Sequence, residues 1–291
     1  MAKIIMDSTT DLPKDLVDKY GIEILPLRVS LDSKEYLDKK TITVEEVYAA
    51  MKKGIRPVTS LPNPIEMYRM LSSYAKNGED FIFYSFSSRM SSTYETVYLA
   101  IEELKEKYPG VRMEIIDSKG GSMATGLIVL QAVKLLEAGF HFDDVVRISR
   151  ENVENIEHVF TIDDLNWLNE GGRISKGEAL FGTVLNIKPI LDVQDGEICV
   201  IDKVRGRKKS LRKVVSIMKE RIGDFQDQII GITHAADEEV AYELKGMIAE
   251  ELGHEDILVD KIGSVLGTHL GIGGVGMYFL NSRPEEYINE I

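Results

Sequence analysis

The chain has few of the features that would cross-link it or hold it in a membrane. Cys199 is the single cysteine among 291 residues, so no disulfide can form within the chain. No stretch of 18 residues has the continuous apolar, uncharged character that a membrane-spanning helix requires. The apolar start of the chain turns acidic at Asp7 before a signal-peptide core could form. We therefore expect a cytoplasmic protein with no transmembrane segment.

Basic residues and metal-binding motifs are scarce as well. Lys and Arg total 35 against 48 Asp and Glu, which leaves a net charge of −13. An acidic surface repels phosphate backbones and anionic lipid headgroups, so we expect no broad binding to nucleic acids or membranes. The sequence has no paired cysteines, no His-Glu-x-x-His motif and no calcium-binding loop. It therefore implies neither a metal ion nor an organic cofactor.

The length suggests two domains, and the apolar pattern of the first half predicts its fold. Short apolar runs alternate there with longer segments of helical period, which is typical of an α/β domain with a largely parallel, Rossmann-like sheet. Strands are predicted at Lys3–Met6, Glu23–Val29, Phe81–Phe86 and Arg112–Ile116. Helices are predicted to start near Pro13, Val44, Pro64, Ser92 and Gly121. Thr43 and Glu46 have the spacing of a capping box for the helix at Val44.

The second half has a different pattern. Strands are predicted at Glu157–Ile162, Ile190–Val193, Ile198–Lys203 and Ile229–Thr233, with helices at Lys209–Ile222 and Asp237–Leu252. The turn Gln194-Asp195-Gly196 predicts an antiparallel hairpin, and hence a mixed α/β sheet. We therefore predict an N-terminal α/β domain over residues 1–155 and a C-terminal mixed α/β domain over residues 156–291.

Two polar segments of the first half are candidate binding loops. Thr59 and Ser60 lie between Pro57 and Pro62, although capping of the helix near Pro64 explains these hydroxyls equally well. The hydroxyl-rich loop Ser85–Tyr94 follows a predicted strand and opens a helix. The free N–H groups at such a helix start suit a carboxylate or phosphate, while helix capping by Ser91 or Ser92 is the alternative.

Two further segments are weaker candidates. The glycine-rich stretch Gly263–Gly276 contains His269, whose imidazole is suited to donate a hydrogen bond to a carboxylate, but glycines also mark ordinary tight turns. Asp7 and Asp11 follow the first strand. They have the chemistry to bind a metal as paired carboxylates, but capping of the helix near Pro13 is the preferred interpretation.

Five motifs in order along nearly the whole chain resemble the DegV family of bacterial fatty-acid-binding proteins. They are Asp7-Ser8-Thr9-Thr10-Asp11-Leu12-Pro13, Thr59-Ser60-Leu61-Pro62, Ser91-Ser92-Thr93-Tyr94, Glu170-Gly171-Gly172-Arg173-Ile174 and His269-Leu270-Gly271. The resemblance implies a two-domain α/β protein that holds one long-chain fatty acid, such as palmitate, in a tunnel between the domains. It also implies a separate fatty acid kinase that converts the bound carboxylate to an acyl phosphate, so that the carrier itself is not an enzyme.

The same resemblance assigns the site residues. It implies that the fatty acid is bound by Thr59, Ser60, Ser91, Ser92, His269 and Gly271, and that Arg173 docks the partner kinase. Ser92 stands where the family has glycine, and Ile272 and Gly274 replace the Pro and Ala of the family pattern after His269. Several hydroxyl and imidazole donors would offset the cost of burying a carboxylate.

An enzyme is the competing class. A hydrolase would use Ser91 or Ser92 with His269, and a phosphoryl-transfer enzyme would be built on Asp7 and Asp11. Neither has its full apparatus, because the Gly-x-Ser-x-Gly elbow and a phosphate loop are missing from the sequence. A regulatory interaction module with an empty groove is the third alternative.

Overall fold

The computed structural model describes residues 1–174, 186–254 and 256–290. The described strands are β1 (Lys3–Asp7), β2 (Glu23–Leu25), β3 (Arg28–Leu31), β4 (Lys34–Leu37), β5 (Val58–Ser60), β6 (Phe81–Ser85), β7 (Met113–Asp117), β8 (Ile156–Thr161), β9 (Ile187–Gln194), β10 (Glu197–Arg205), β11 (Ile230–His234), β12 (Ile257–Lys261) and β13 (Val275–Leu280). The described helices are α1 (Lys14–Lys19), α2 (Val44–Lys52), α3 (Pro64–Lys76), α4 (Thr93–Lys107), α5 (Ser122–Glu137), α6 (Phe142–Asn155), α7 (Asn166–Glu170), α8 (Arg207–Arg221), α9 (Glu238–Leu252) and α10 (Ser264–Leu270).

The first half forms a parallel sheet with helices on both faces, as predicted. Its strand order is β2-β1-β6-β7, and each neighbouring pair is parallel. All of Phe81–Ser85 is buried, as expected for a central strand covered on both faces. Helices α3 and α4 pack on one face and α5 and α6 on the other. The capping box of α2 is confirmed, since Thr43 N–H donates to Glu46 Oε2 at 2.8 Å.

The predicted strand Glu23–Val29 is wrong, because the chain changes sheets within it. Pro26 lies between β2 and β3, and a proline has no N–H to continue a ladder. The N–H of Leu27 donates instead to Ser8 Oγ at 3.0 Å. β3 then pairs with β4 and β5 in a separate antiparallel sheet of order β4-β3-β5.

The second half forms a mixed sheet of order β10-β9-β8-β13-β11-β12. The predicted hairpin is confirmed, since Gln194 pairs with Glu197 across Asp195 and Gly196, both of which have positive φ. β11 and β12 are parallel, and the other neighbouring pairs are antiparallel. Helices α8 and α9 cover one face of this sheet. In the second half the sequence prediction missed β12, β13, α7 and α10.

Apolar packing joins the halves of the chain at two places. Helix α5 is buried at every residue except Glu137, and it packs between the parallel sheet and the mixed sheet. In addition, α2 and β3 share an apolar cluster with α10, in which Val29 and Val47 are fully buried. Where α5 does not cover the mixed sheet, the face of that sheet remains open to a cavity.

Candidate functional site

The floor of the cavity is a row of side chains on the inner face of the mixed sheet. Tyr278 of β13 pairs with His158 of β8, and Val193 of β9 pairs with Ile198 of β10. All four residues line the cavity. The opposite wall comes from the first half, through Phe86 and its neighbours. Both halves of the chain therefore build one site, which agrees with the rule that open α/β sheets bind ligands beyond the carboxyl ends of their strands.

Most of the cavity wall is apolar. The aliphatic, aromatic and thioether side chains that complete it are Leu27, Leu61, Phe86, Met90, Phe160, Leu168, Val265, Leu266 and Leu270. Such a wall binds hydrocarbon, because each buried CH₂ contributes about 0.8 kcal/mol. The cavity is therefore suited to an extended alkyl chain.

A group of polar side chains interrupts the apolar wall. Thr59, Ser60, Ser91, Arg173 and His269 all line the cavity. They come from β5, from the loop before α4, from the loop after α7 and from α10. The structure thus brings together five of the seven residues that the family resemblance selected.

Thr59 and His269 form the central contact of this polar group. Thr59 Oγ1 and His269 Nε2 are 2.8 Å apart. Burial lowers the pKa of His269 to about 4, and the charge of Arg173 acts in the same direction, so the imidazole is neutral at pH 7. When its proton is on Nε2, His269 donates to Thr59, and the Thr59 hydroxyl is free to donate to a ligand. The pair is suited to present an O–H group to an anion.

Thr59 and Ser60 are not helix caps. They belong to β5, where Val29 pairs with Thr59 and Arg28 with Ser60. Asn63 caps α3 instead, since its Oδ1 accepts from Ile65 N–H at 3.0 Å. The capping interpretation of these hydroxyls is therefore wrong, because the residue next to the helix satisfies its free N–H groups.

Ser91 has two roles at the start of α4. Its Oγ accepts from Thr93 N–H at 3.2 Å and lies 2.9 Å from Thr93 Oγ1, and the same residue lines the cavity. Ser92 is exposed and stands outside the described cavity wall. The hydrolase interpretation also lacks its geometry, because the imidazole of His269 bonds to Thr59 while Ser91 bonds to Thr93.

Two glycines shape the surroundings of His269. A Cβ on Gly171 would lie 2.4 Å from His269 Nδ1, so glycine permits the close approach of the ring. Gly271 has φ +75°, and a Cβ there would lie 2.4 Å from Trp167 Cδ1. Gly271 thus allows Trp167 to pack against the end of α10, and it stands outside the described cavity wall.

Arg173 lies in the cavity wall and is half-buried. Its guanidinium donates to the carbonyl of Gly171. Within residues 1–174, 186–254 and 256–290, no carboxylate forms an ion pair with it. Arg173 is therefore a cation in position to meet an anionic ligand.

Asp7 and Asp11 stabilise the fold behind the cavity. Asp7 Oδ2 accepts from Phe86 N–H at 2.7 Å. Asp11 Oδ1 accepts from Gly263 N–H at 3.0 Å, and burial raises its pKa to about 6. The prediction that these carboxylates cap the helix near Pro13 is wrong, since α1 has no side-chain cap. Gly263 is the N-cap residue of α10, so Asp11 accepts a hydrogen bond at the start of a helix from the other end of the chain.

Four polar residues of the cavity wall were missed by the sequence analysis: Thr9, Ser122, His158 and Tyr278. Ser122 Oγ donates to Asp11 Oδ2 at 2.7 Å and lies 3.1 Å from Thr233 Oγ1, which is 3.0 Å from Tyr278 OH. A buried chain of hydroxyls therefore connects the cavity to Asp11. No local pattern in the sequence indicates this network, because its members lie on separate strands and helices.

The β9–β10 hairpin holds the loop that carries Met90 and Ser91. Ser87 Oγ donates to the carbonyl of Gly196 at 2.7 Å. Arg89 Nη2 lies 3.4 Å from Glu197 Oε1. The mixed sheet thus fixes a loop of the parallel sheet beside the cavity.

The two α/β units surround an apolar cavity, and a group of polar side chains in its wall is suited to an anion. This arrangement defines a class of small-molecule binding protein. The chain belongs to the DegV family, whose family model matches residues 1–282. It is 37% identical to a DegV domain-containing protein of Clostridium perfringens over 285 residues, which cover 97% of this chain and 98% of the relative. No helix in the described ranges is long and apolar enough to cross a bilayer.

Two solved structures are similar to this fold. A DegV family protein from Thermus thermophilus, described by its fatty-acid binding, has a TM-score of 0.86 at 28% identity and covers 95% of this chain and 98% of its own. A stearic acid-binding protein from Eubacterium ventriosum has a TM-score of 0.86 at 27% identity and covers 96% of this chain and 97% of its own. The resemblance stated from the motifs is thereby confirmed.

Proposed function

We propose that the protein binds a long-chain fatty acid, such as palmitate, in the cavity between its two halves. The carboxylate lies among Thr59, Ser60, Ser91, Arg173 and His269, and the alkyl chain lies along the apolar wall. The observation that carries the proposal is the placement of this polar group in an otherwise apolar cavity. The fatty-acid binding of the similar proteins from Thermus thermophilus and Eubacterium ventriosum supports it.

The chemistry of the cavity fits the two ends of such a ligand. A carboxylate loses hydration on burial, and this loss is costly unless donors replace the water. The Thr59 and Ser60 hydroxyls and the Arg173 guanidinium supply such donors. The alkyl chain then contributes about 0.8 kcal/mol for each buried CH₂, which favours long chains over short ones.

The direct test is to identify and then exchange the ligand. Protein purified from its cells is extracted with organic solvent, and the extract is analysed by mass spectrometry. The lipid-free protein is then titrated with palmitate and with hexadecanol, which has a similar chain but no charge. We expect bound fatty acids in the extract and a clear preference for palmitate. Equal affinity for the alcohol would contradict the proposed carboxylate site.

Variants of Thr59 test the head-group contacts. We expect Thr59→Val to weaken palmitate binding about tenfold or more, because removing a donor to a buried charged group costs about 1.5–3 kcal/mol. His269→Phe should weaken binding for the same reason, since Thr59 then loses the group that orients its hydroxyl. Thr96→Val is the matched control, because that hydroxyl is exposed on α4 and donates to Ser92 O.

We further propose that the bound acid is presented to a separate kinase. In that reaction a carboxylate oxygen attacks the γ-phosphorus of ATP, which yields an acyl phosphate and ADP. Arg173 is half-buried, so one residue is available both to the carboxylate and to a docking partner. The need for ATP supports a cytoplasmic location.

Arg173→Glu tests the hand-over step when the assay uses protein saturated with palmitate, because the loss of the guanidinium should also weaken palmitate binding. The assay contains a fatty acid kinase, ATP and magnesium, and hydroxylamine traps the acyl phosphate as a hydroxamate. We expect the variant to form acyl phosphate more slowly than the wild type. Charge at an interface chiefly changes the rate of encounter, so the defect should grow at low ionic strength. Arg69→Glu is the matched control, because Arg69 is an exposed arginine of α3 outside the described cavity wall. The protein without kinase should turn over neither ATP nor nitrophenyl esters, and turnover of either would favour the enzyme alternative.

A further inference from the structure

His158 is the residue of the cavity wall nearest the start of β8. Strand β8 runs from Ile156 to Thr161, and the chain then continues to α7 and to Arg173. His158 and Phe160 both face the cavity from this strand. A ligand that lies along β8 with its carboxylate near Arg173 therefore passes Phe160 before it reaches His158.

A second recess lies on the other side of His158. It is lined by polar and charged residues, among them Lys119, Glu157, Asp192 and Arg221. His158 and Val193 belong to the walls of both spaces. These two side chains thus form the partition between an apolar cavity and a charged recess.

The imidazole of His158 is held firmly in this partition. Only 5% of the residue is exposed. A Cβ on Gly120 would lie 2.0 Å from Nε2, so the ring packs directly on the backbone of that glycine. The edge of the ring meets Tyr278, with centroids 5.8 Å apart. Burial also lowers the pKa of His158 to about 4, which keeps the ring uncharged at pH 7 beside a hydrocarbon chain.

We propose that His158, together with Val193, closes the far end of the cavity and sets the longest acyl chain that the protein binds. Chains up to this limit gain affinity with every carbon. A longer chain would have to displace the ring or place its methyl end among the charges of the recess. This inference rests on the proposed fatty-acid binding, and it adds the residues that determine chain length.

The experiment measures chain-length preference in variants of the partition. Lipid-free protein is equilibrated with an equimolar mixture of saturated fatty acids of increasing length, and the bound acids are quantified by mass spectrometry. We expect affinity to rise about fourfold per added carbon, as each buried CH₂ implies, and then to stop at the wild-type limit. In His158→Ala this rise should continue for the few further carbons that fit in the space left by the imidazole ring.

Three further variants make the test specific. Val193→Ala opens the other half of the partition, and we expect the same shift, which keeps the test valid if His158→Ala does not fold. His158→Phe preserves a ring and should preserve the wild-type limit. His254→Ala removes another buried imidazole that lies outside the described cavity wall and should change nothing.

The outcomes separate this inference from the proposed function. A shift to longer chains in both alanine variants of the partition supports it. An unchanged limit in a variant that still binds fatty acids overturns the role of His158 and leaves fatty-acid binding in place. Failure of the wild-type protein to bind any fatty acid overturns the proposed function, and this inference with it.

Discussion

At the scale of single residues, the side chains around the carboxylate site act through their neighbours. The Thr59 hydroxyl is free to donate to a ligand when neutral His269 carries its proton on Nε2 and donates to the Thr59 oxygen. His269 reaches that position because residue 171 has no side chain. A mutation at a glycine of this region is therefore expected to disturb ligand binding as much as a mutation of a hydroxyl.

Two adjacent serines provide an internal comparison. Ser91 lines the cavity, whereas the side chain of Ser92 faces solvent. We expect Ser91→Ala to weaken palmitate binding about tenfold, the effect of removing a donor to a charged group, and Ser92→Ala to leave it unchanged. Calorimetric titration of both variants measures this difference. An equal loss of palmitate affinity in the two variants would show that Ser92 belongs to the carboxylate site, as the family resemblance implied.

The neutral state of His158 makes stability depend on pH. Burial lowers its pKa to about 4 from the ordinary 6.5, so the unfolded chain binds the proton more readily than the folded one. The free energy of unfolding therefore falls as the pH drops from about 6.5 to about 4. Between pH 7.5 and pH 5 we expect the wild type to lose about 2 kcal/mol more than His158→Phe.

Urea unfolding of the lipid-free proteins at several pH values measures this effect. The buried carboxyl of Asp11, whose pKa of about 6 is raised, contributes with the opposite sign in the same window. It is present in both proteins, so the difference between them isolates His158. Parallel pH profiles for the two proteins would contradict a buried, neutral imidazole.

At the scale of secondary-structure elements, the β9–β10 hairpin controls a loop of the other half. Gly196 has φ +85°, and a Cβ there would lie 2.8 Å from Ser87 Oγ and 2.9 Å from Arg89 Cγ. We expect Gly196→Ala to displace the loop that carries Met90 and Ser91, and so to speed the release of palmitate. Stopped-flow displacement of a fluorescent fatty acid measures the release rate.

Gly139→Ala is the control for this variant. Gly139 has φ +91°, and a Cβ there would meet open space. Both variants therefore carry the backbone cost of a side chain at positive φ, which is about 1–2 kcal/mol. Only the hairpin variant adds a clash beside the cavity. Equal release rates in the two variants would show that the hairpin does not hold the loop.

At the scale of the whole molecule, buried hydrogen bonds join the two halves of the chain. Tyr48 OH donates to Ile262 O at 2.7 Å, and Asp11 binds Gly263 N–H. We propose that the boundary near residue 155 separates two sheets but not two independently stable units. Residues 1–155 and 156–291 expressed separately should lack cooperative unfolding, since each exposes the apolar face that α2, α5 or α10 covers.

Co-expression of the two fragments is the complementary measurement. We expect the fragments to associate and to recover palmitate binding, because the cavity takes its wall from both. Thermal unfolding followed by circular dichroism shows whether each fragment alone, and the pair together, unfolds cooperatively. A sharp melting transition of residues 1–155 alone would show that the first half is a stable domain.

The sequence by itself determined the elements whose signals are local. The strands at Lys3 and Phe81, the helix at Val44 and the hairpin at Asp195 follow from the period of apolar residues, capping residues and turn residues. Such signals report which residues avoid water over a few turns. They do not report which distant segment covers them, and so Glu23–Val29 was predicted as one strand although its two ends enter different sheets.

Only the tertiary structure decided how the site is assembled. Thr59 and His269 are 210 positions apart, and Asp11 and Gly263 are 252 apart. The motifs nominated Thr59 and His269 through a family resemblance, whereas His158 and Tyr278 carry no local signal of a cavity. Their place follows from the register of β8 against β13, which the packing of the whole sheet determines. A contact between residues so far apart in sequence depends on chain topology, and periodicity within one element contains no information about it.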